Sequence, residues 1–203
     1  PRQVLMLLEW ACPRGIQVIL DETYARYDEG HLREPAIAPF LGRGLTLVGS
    51  FSKVFSLTGY RVGYMTCGPD TTPEAHKIQD TLVICAPHIS QMAALWGLEA
   101  CEADVARFVA TTRRLAGMLR ERTTGLRAFA LRSCGGFFAY LRHPFDGIDC
   151  ETATLRLYQH TGILGLPGTV FGESQERFIR LAFCNLQPAA LEIFINFYYG
   201  ARI

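Results

Sequence analysis

Three short apolar runs, each giving way to polar residues with chemistry to offer, constrain this chain more than anything else in it. Ile16-Gln17-Val18-Ile19-Leu20 ends on Asp21, Leu45-Thr46-Leu47-Val48-Gly49-Ser50 runs out into Phe51-Ser52-Lys53, and Arg61 to Thr66 is closed by Gly68-Pro69. β-Branched and apolar runs bounded by Gly and Pro read as strands. Because their apolar character is nearly continuous, they predict a sheet buried on both faces, as parallel sheets are. Helical spacing sets Val4, Leu7, Leu8 and Ala11 on one stripe ahead of the first run, and it returns from Thr72 to Arg122 with a break near Pro87. Strands alternating with helices and a Gly/Pro-rich loop (Glu29 to Gly44) imply the α/β class, here part of a mostly parallel, three-layer α/β/α sheet.

Beyond Gly125 the pattern changes. Phe129 to Arg132 and Gly136 to Leu141 read as strands, Cys150 to His160 as a helix, Phe178 to Phe183 as a strand and Pro188 to Tyr199 as a closing helix. That is a smaller α+β unit, so the expected domains are residues 1–104 and 105–203. No internal repeat or low-complexity segment interrupts either.

Charge excludes some partners. With 20 Lys plus Arg against 19 Asp plus Glu the net charge is +1, so no broad field draws in nucleic acid or an anionic membrane. No apolar run is long enough to span a bilayer. The seven cysteines are scattered, without a C-x-x-C or a histidine at metal-ligand spacing, which predicts no metal site, a reduced intracellular protein and cysteines buried as ordinary apolar residues. The chain opens on Pro1 with a helix already under way, and is expected to be cut from something longer. Only Lys53 and Lys77 are lysines, so chemistry that needs a primary amine has two candidates.

In open α/β sheets ligands gather at the carboxyl ends of strands. Asp21 lies there with Tyr24 three positions later; Ser50, Ser52 and Lys53 leave the second strand at the same edge; Arg61 stands between Gly59 and Gly63 at the start of the third. Taken singly, each has a bland reading: Asp21 as a turn or capping residue, Lys53 as a solvated surface amine, Arg61 and Arg180 as ion-pair arginines, Tyr24 and Tyr27 as packing. Taken together, an amine suits an aldehyde, a guanidinium with hydroxyls suits a phosphate, a carboxylate holds a ring nitrogen protonated, and a phenol bonds a ring oxygen. Pyridoxal 5'-phosphate carries all four groups.

These residues also resemble a known family. Asp21-Glu22-Thr23-Tyr24, Ser50-Phe51-Ser52-Lys53, Gly59-Tyr60-Arg61-Val62-Gly63, Pro167-Gly168-Thr169-Val170-Phe171-Gly172 and Arg180-Leu181-Ala182-Phe183 are similar, in order and spacing, to motifs of the class I/II aminotransferases among the fold-type I pyridoxal-phosphate enzymes. The resemblance implies that residues 1–104 are the downstream part of the cofactor-binding large domain and 105–203 the small domain. It implies that Lys53 is the catalytic lysine, holding the cofactor as a Schiff base and moving the substrate's α-proton. Asp21 would partner the pyridinium, Tyr24 the ring O3′, Ser50, Ser52 and Arg61 the phosphate, and Arg180 the substrate's α-carboxylate. An L-amino acid and a 2-oxo acid would be the substrates of a cytoplasmic homodimer in amino acid metabolism. The family's upstream phosphate loop, ring-stacking aromatic and asparagine near O3′ have no counterpart in this sequence. The alternatives are a lyase or cofactor-sensing regulator domain of the same fold, or a truncated, non-catalytic remnant.

Overall fold

A computed structural model describes residues 2–27, 34–124 and 130–200. The chain divides into two compact units, Pro1–Phe108 and Val109–Ile203. The long helix α6 (Glu102–Thr123) contributes residues to both.

In the first unit, α1 (Arg2–Ala11) stops at Cys12–Arg14, a 3-10 turn closed by Gly15 in the left-handed region at φ 71°. Glycine takes that conformation without the Cβ penalty other residues meet. Then come β1 (Val18–Asp21), α2 (Glu34–Ile37), β2 (Leu45–Ser50), α3 (Phe51–Val54) and β3 (Gly63–Thr66), followed by α4 (Thr72–Val83) and α5 (His88–Ala100). Among the described residues the sheet order is β1-β2-β3. β1 and β2 are parallel with Asp21 opposite Val48, whereas β3 runs antiparallel with Gly63 opposite Ser50. The sheet is therefore mixed. Residues 51–62 turn the chain back through the four-residue α3 and a 3-10 turn at Thr58–Tyr60, with no long helix to carry it across the sheet for a parallel return.

One face of this sheet is a core: Leu45 and Leu47 are buried with Leu8 and Ile37, and Val4, Leu5, Val18 and Leu20 pack against them. The other face departs from the sequence expectation of burial on both sides. Ile19, next to Leu20 and pointing the opposite way as strand alternation requires, is 72% exposed, and every residue of β3 is exposed. The third strand also starts later than the sequence suggests, at Gly63, because Arg61 adopts the left-handed conformation (φ 52°) and breaks the extended run.

The second unit holds β4 (Leu131–Gly135), β5 (Phe138–Arg142), α7 (Cys150–Thr161), β6 (Leu166–Pro167), β7 (Phe178–Ala182) and α8 (Pro188–Gly200). Its sheet order is β4-β5-β7-β6, with antiparallel pairing throughout. The expected strand at Phe129 to Arg132 falls partly outside the described residues; Leu131 begins the observed one. Asp149 caps α7 by accepting from the Thr152 amide at 2.7 Å, and Gly162 closes it at φ 70°. α6, α7 and α8 cover the sheet around Leu119, Leu157, Leu181, Phe183 and Phe194, all essentially inaccessible. Among the cysteines only Cys150 is buried; Cys85 is exposed and the other five lie between, so burial as apolar filler accounts for one of them. Among the described residues no helix is long and apolar enough to cross a membrane.

Candidate functional site

The strand register gathers most of the expected groups at one edge of the first unit's sheet. Asp21 is the last residue of β1 and Ser50 the last of β2, the strand running parallel beside it. Gly63 pairs with Ser50, so Arg61 lies two residues outside that pair, and α3 carries Ser52 and Lys53 immediately beyond it.

Asp21 is exposed, and its Oδ1 accepts from the Thr23 amide at 2.9 Å and the Thr23 hydroxyl at 2.6 Å. These bonds, the hydroxyl's first, outweigh slight burial and hold the carboxyl below the usual carboxylate range. The group is thus an anion whose Oδ2 faces no described donor. Tyr24 follows in the turn, its carbonyl accepting from the Tyr27 amide at 2.9 Å.

Ser50 caps α3, its Oγ accepting from the Ser52 amide at 3.1 Å. Ser52 is buried, and its carbonyl accepts from the Thr58 hydroxyl at 3.3 Å. Lys53 is half-buried, and its Nζ makes no hydrogen bond or ion pair among the described residues. The other lysine, Lys77, is exposed and paired with Glu74 at 2.7 Å. Arg61 is exposed and donates to the Thr58 carbonyl at 2.9 Å, which ties it to the turn after α3.

Tyr27 has a larger part than its packing role in the sequence suggests. It is buried, stands edge-on to Phe108, and its hydroxyl donates to the Lys53 carbonyl at 2.7 Å. The sequence signal was slight: a second tyrosine three positions after Tyr24, where a turn of 3-10 helix at Ala25–Tyr27 points it back toward α3. A cavity of about 350 Å³ lies beside this edge, with Ser50, Phe51 and Tyr64 among its walls and the Arg26–Glu102 ion pair at its rim. Of the expected residues, only Ser50 lines it.

Arg180 belongs to the second unit and is described with it. It sits mid-strand on β7, opposite Tyr140 on one side and Leu166 on the other. Its guanidinium carbon lies over two rings, 4.3 Å from the Phe138 centroid and 4.4 Å from that of Phe171. Among the described residues it has no hydrogen-bond acceptor or acidic partner. It opens onto a cavity of about 440 Å³ that Ser133, Cys134 and Tyr140 also line. Burial, chiefly, raises the Tyr140 phenol, which donates to Gln175 Oε1 at 2.7 Å.

The family described as Aminotransferase class I and II matches residues 1–197. An aspartate aminotransferase of Musicola paradisiaca is 29% identical over 89% of this chain and 46% of its own length. The aspartate aminotransferase structure from Thermotoga maritima superposes with a TM-score of 0.78 at 25% identity, covering 95% of this chain and 49% of that one. The α-aminoadipate aminotransferase of Thermus thermophilus, complexed with N-(5'-phosphopyridoxyl)-L-leucine, has the same fold at TM-score 0.79 and 22% identity, over 98% of this chain and 55% of that one. The chain spans about half the length of the relatives it matches.

Proposed function

Since the chain belongs to the class I and II aminotransferases, which depend on pyridoxal 5'-phosphate, we propose that it carries the cofactor-binding lysine of an enzyme that moves an amino group between an L-amino acid and a 2-oxo acid. The observation that carries this reading is the register that brings Asp21, Ser50, Lys53 and Arg61 to one sheet edge, with an amine among them that has no partner among the described residues. The donor set fits the cofactor. Lys53 offers the amine for the aldehyde, Asp21 an ionised carboxylate for the ring nitrogen, Tyr24 a phenol for the ring oxygen, and Ser50, Ser52 and Arg61 donors for the phosphate.

Bound pyridoxal 5'-phosphate supplies an aldehyde for the amine and a cationic ring that accepts electrons from a breaking Cα–H bond. The protein's residues do the rest. Thr23's two bonds favour the ionised form of Asp21, and that carboxylate would hold a proton on the ring nitrogen. Lys53 Nζ, without a bond partner among the described residues, would be the base that takes the proton from the substrate's α-carbon. Arg180 would orient the substrate by a two-pronged bond to its α-carboxylate. The substrates, a cytoplasmic location and a homodimeric state of the whole protein belong to the same proposal.

The test is borohydride trapping. The chain incubated with pyridoxal 5'-phosphate, reduced and digested, should carry the added mass on the Lys53 peptide, and Lys53→Ala should carry none. Adduct on Lys77 alone in a folded sample would overturn the assignment.

A further inference from the structure

Arginines that bind anions are commonly braced by a neighbouring carboxylate, which fixes the guanidinium but neutralises it and uses up donors. Arg180 is braced differently. Two phenyl rings lie against its guanidinium carbon at 4.3 and 4.4 Å, and no described residue accepts from its N–H groups. A ring face attracts a cation through its quadrupole yet offers no conventional acceptor. The guanidinium is therefore held in place with its charge and its hydrogen-bonding capacity intact, beside a cavity large enough for a small acid.

The rings are themselves fixed. Phe138 opens β5, hydrogen-bonded to β7 opposite Ala182. Phe171 ends the 3-10 turn Gly168–Phe171 and stands edge-on to Tyr140 at 6.3 Å, while Tyr140 stacks on Phe178 at 5.1 Å. Gly168 lets that turn lie against the chain leading into β7: a Cβ there would fall 2.2 Å from the Gln175 carbonyl oxygen. The Pro167-Gly168 pair thus brings Phe171 to Arg180.

We propose that Phe138 and Phe171 are positioning residues for carboxylate capture, holding Arg180 in place by ring contact while leaving its donors to the ligand. The inference rests on Arg180 being the residue that takes the substrate's carboxylate, and the experiment separates the two ideas.

The probe is sodium propionate, with neutral propionamide as control, titrated at constant ionic strength into the full chain labelled with 15N-arginine. The reporter is the Arg180 Nε–Hε resonance, assigned by its loss in Arg180→Lys. Propionate should shift it saturably and propionamide should not; no saturable shift would remove the reading of Arg180 itself. Phe171→Leu and Phe138→Leu should each weaken propionate binding about fivefold, on the order of 1 kcal/mol, while Phe171→Tyr, which keeps a ring, should bind as the parent does. Propionate binding unchanged in both leucine variants would overturn the positioning role and leave Arg180 standing. A second readout needs no ligand and no variant. Ring currents should place the free chain's Arg180 Hε upfield of the other arginines, and a resonance among the exposed arginines would also overturn the inference.

Discussion

Gly59 and Gly63 bracket Arg61 in one motif, and the structure separates them. A Cβ on Gly59 meets nothing within 4 Å, whereas one on Gly63 would lie 2.5 Å from the Gly49 carbonyl oxygen. Against ordinary contact at 3.4 Å the shortfall is 0.9 Å, and it falls between the backbones of β2 and β3 with no side chain to swing aside. Opening the strands by that much would stretch the neighbouring bond from the Phe51 amide to the Val62 carbonyl, now 3.2 Å, to about 4 Å and break it. A lost ladder bond costs about 1 kcal/mol and the residual overpacking about 1–2 kcal/mol more. We therefore predict that Gly63→Ala destabilises the first unit by about 2–3 kcal/mol, a fall of roughly 10 °C in its thermal midpoint. Gly59→Ala should be neutral or stabilise by about 0.5 kcal/mol, through the lower entropy of its unfolded chain. Urea unfolding followed by far-UV circular dichroism measures both. Equal midpoints for the two variants would refute the packing argument, since it depends on the environment that distinguishes them.

Three further outcomes follow from other contacts. Thr23→Val should raise the Asp21 titration midpoint toward the ordinary carboxylate value, read by carboxyl 13C NMR, because the Thr23 hydroxyl is the chief cause of its lowering. The stability those bonds give is present above the unfolded-state pKa and lost as pH falls through the lowered native one, so the variant should lose less on acidification; coincident midpoints would count against it. Burial, above all, lowers the His143 pKa, with Nε2 3.1 Å from the Glu176 carbonyl and Nδ1 buried without a partner among the described residues. As pH falls below 6.5 the unfolded chain takes up a proton that the native imidazole refuses, so stability should fall from there down to the lowered native value. His143→Phe should flatten that stretch of the urea midpoint against pH, and an unchanged slope would assign it to other groups. Gly97→Ala would set a Cβ 2.7 Å from the Phe55 ring, which stacks on Phe51 at 5.8 Å; a loss of about 1–3 kcal/mol and an altered near-UV spectrum are expected, and a native-like spectrum would show that Phe55 yields freely.

The sequence made the elements legible where period and punctuation agreed. β2 runs from Leu45 to Ser50 as its apolar run does, and α7 starts at Cys150 because Asp149 caps it. It misread what depends on through-space pairing. A run such as Arg61 to Thr66 carries no mark of direction, so the antiparallel return of β3 and the late start forced by Arg61 were invisible. Apolar composition likewise cannot say whether a face is covered, and Ile19 is exposed despite its strand-core character. Of the candidate site, the residues joined by short chain offsets could be read: Asp21 with Tyr24, Ser50 with Lys53. The contacts formed through space could not, among them Tyr27 with Lys53, 26 residues apart, and Phe138 and Phe171 with Arg180.

The bond from Tyr27 to the Lys53 carbonyl also has a consequence for motion. A four-residue helix such as α3 is too short to hold itself together and on its own would fray and re-form rapidly. Here its middle is fastened to a phenol that is 5% exposed, so opening it means breaking the bond of a buried hydroxyl. That restrains the backbone at Lys53, while the amine at the end of its four-carbon stem, bonded to nothing among the described residues, can change rotamer without it. The protein thereby separates two freedoms at one residue: a tethered anchor, and a tip that can turn without the fold having to follow.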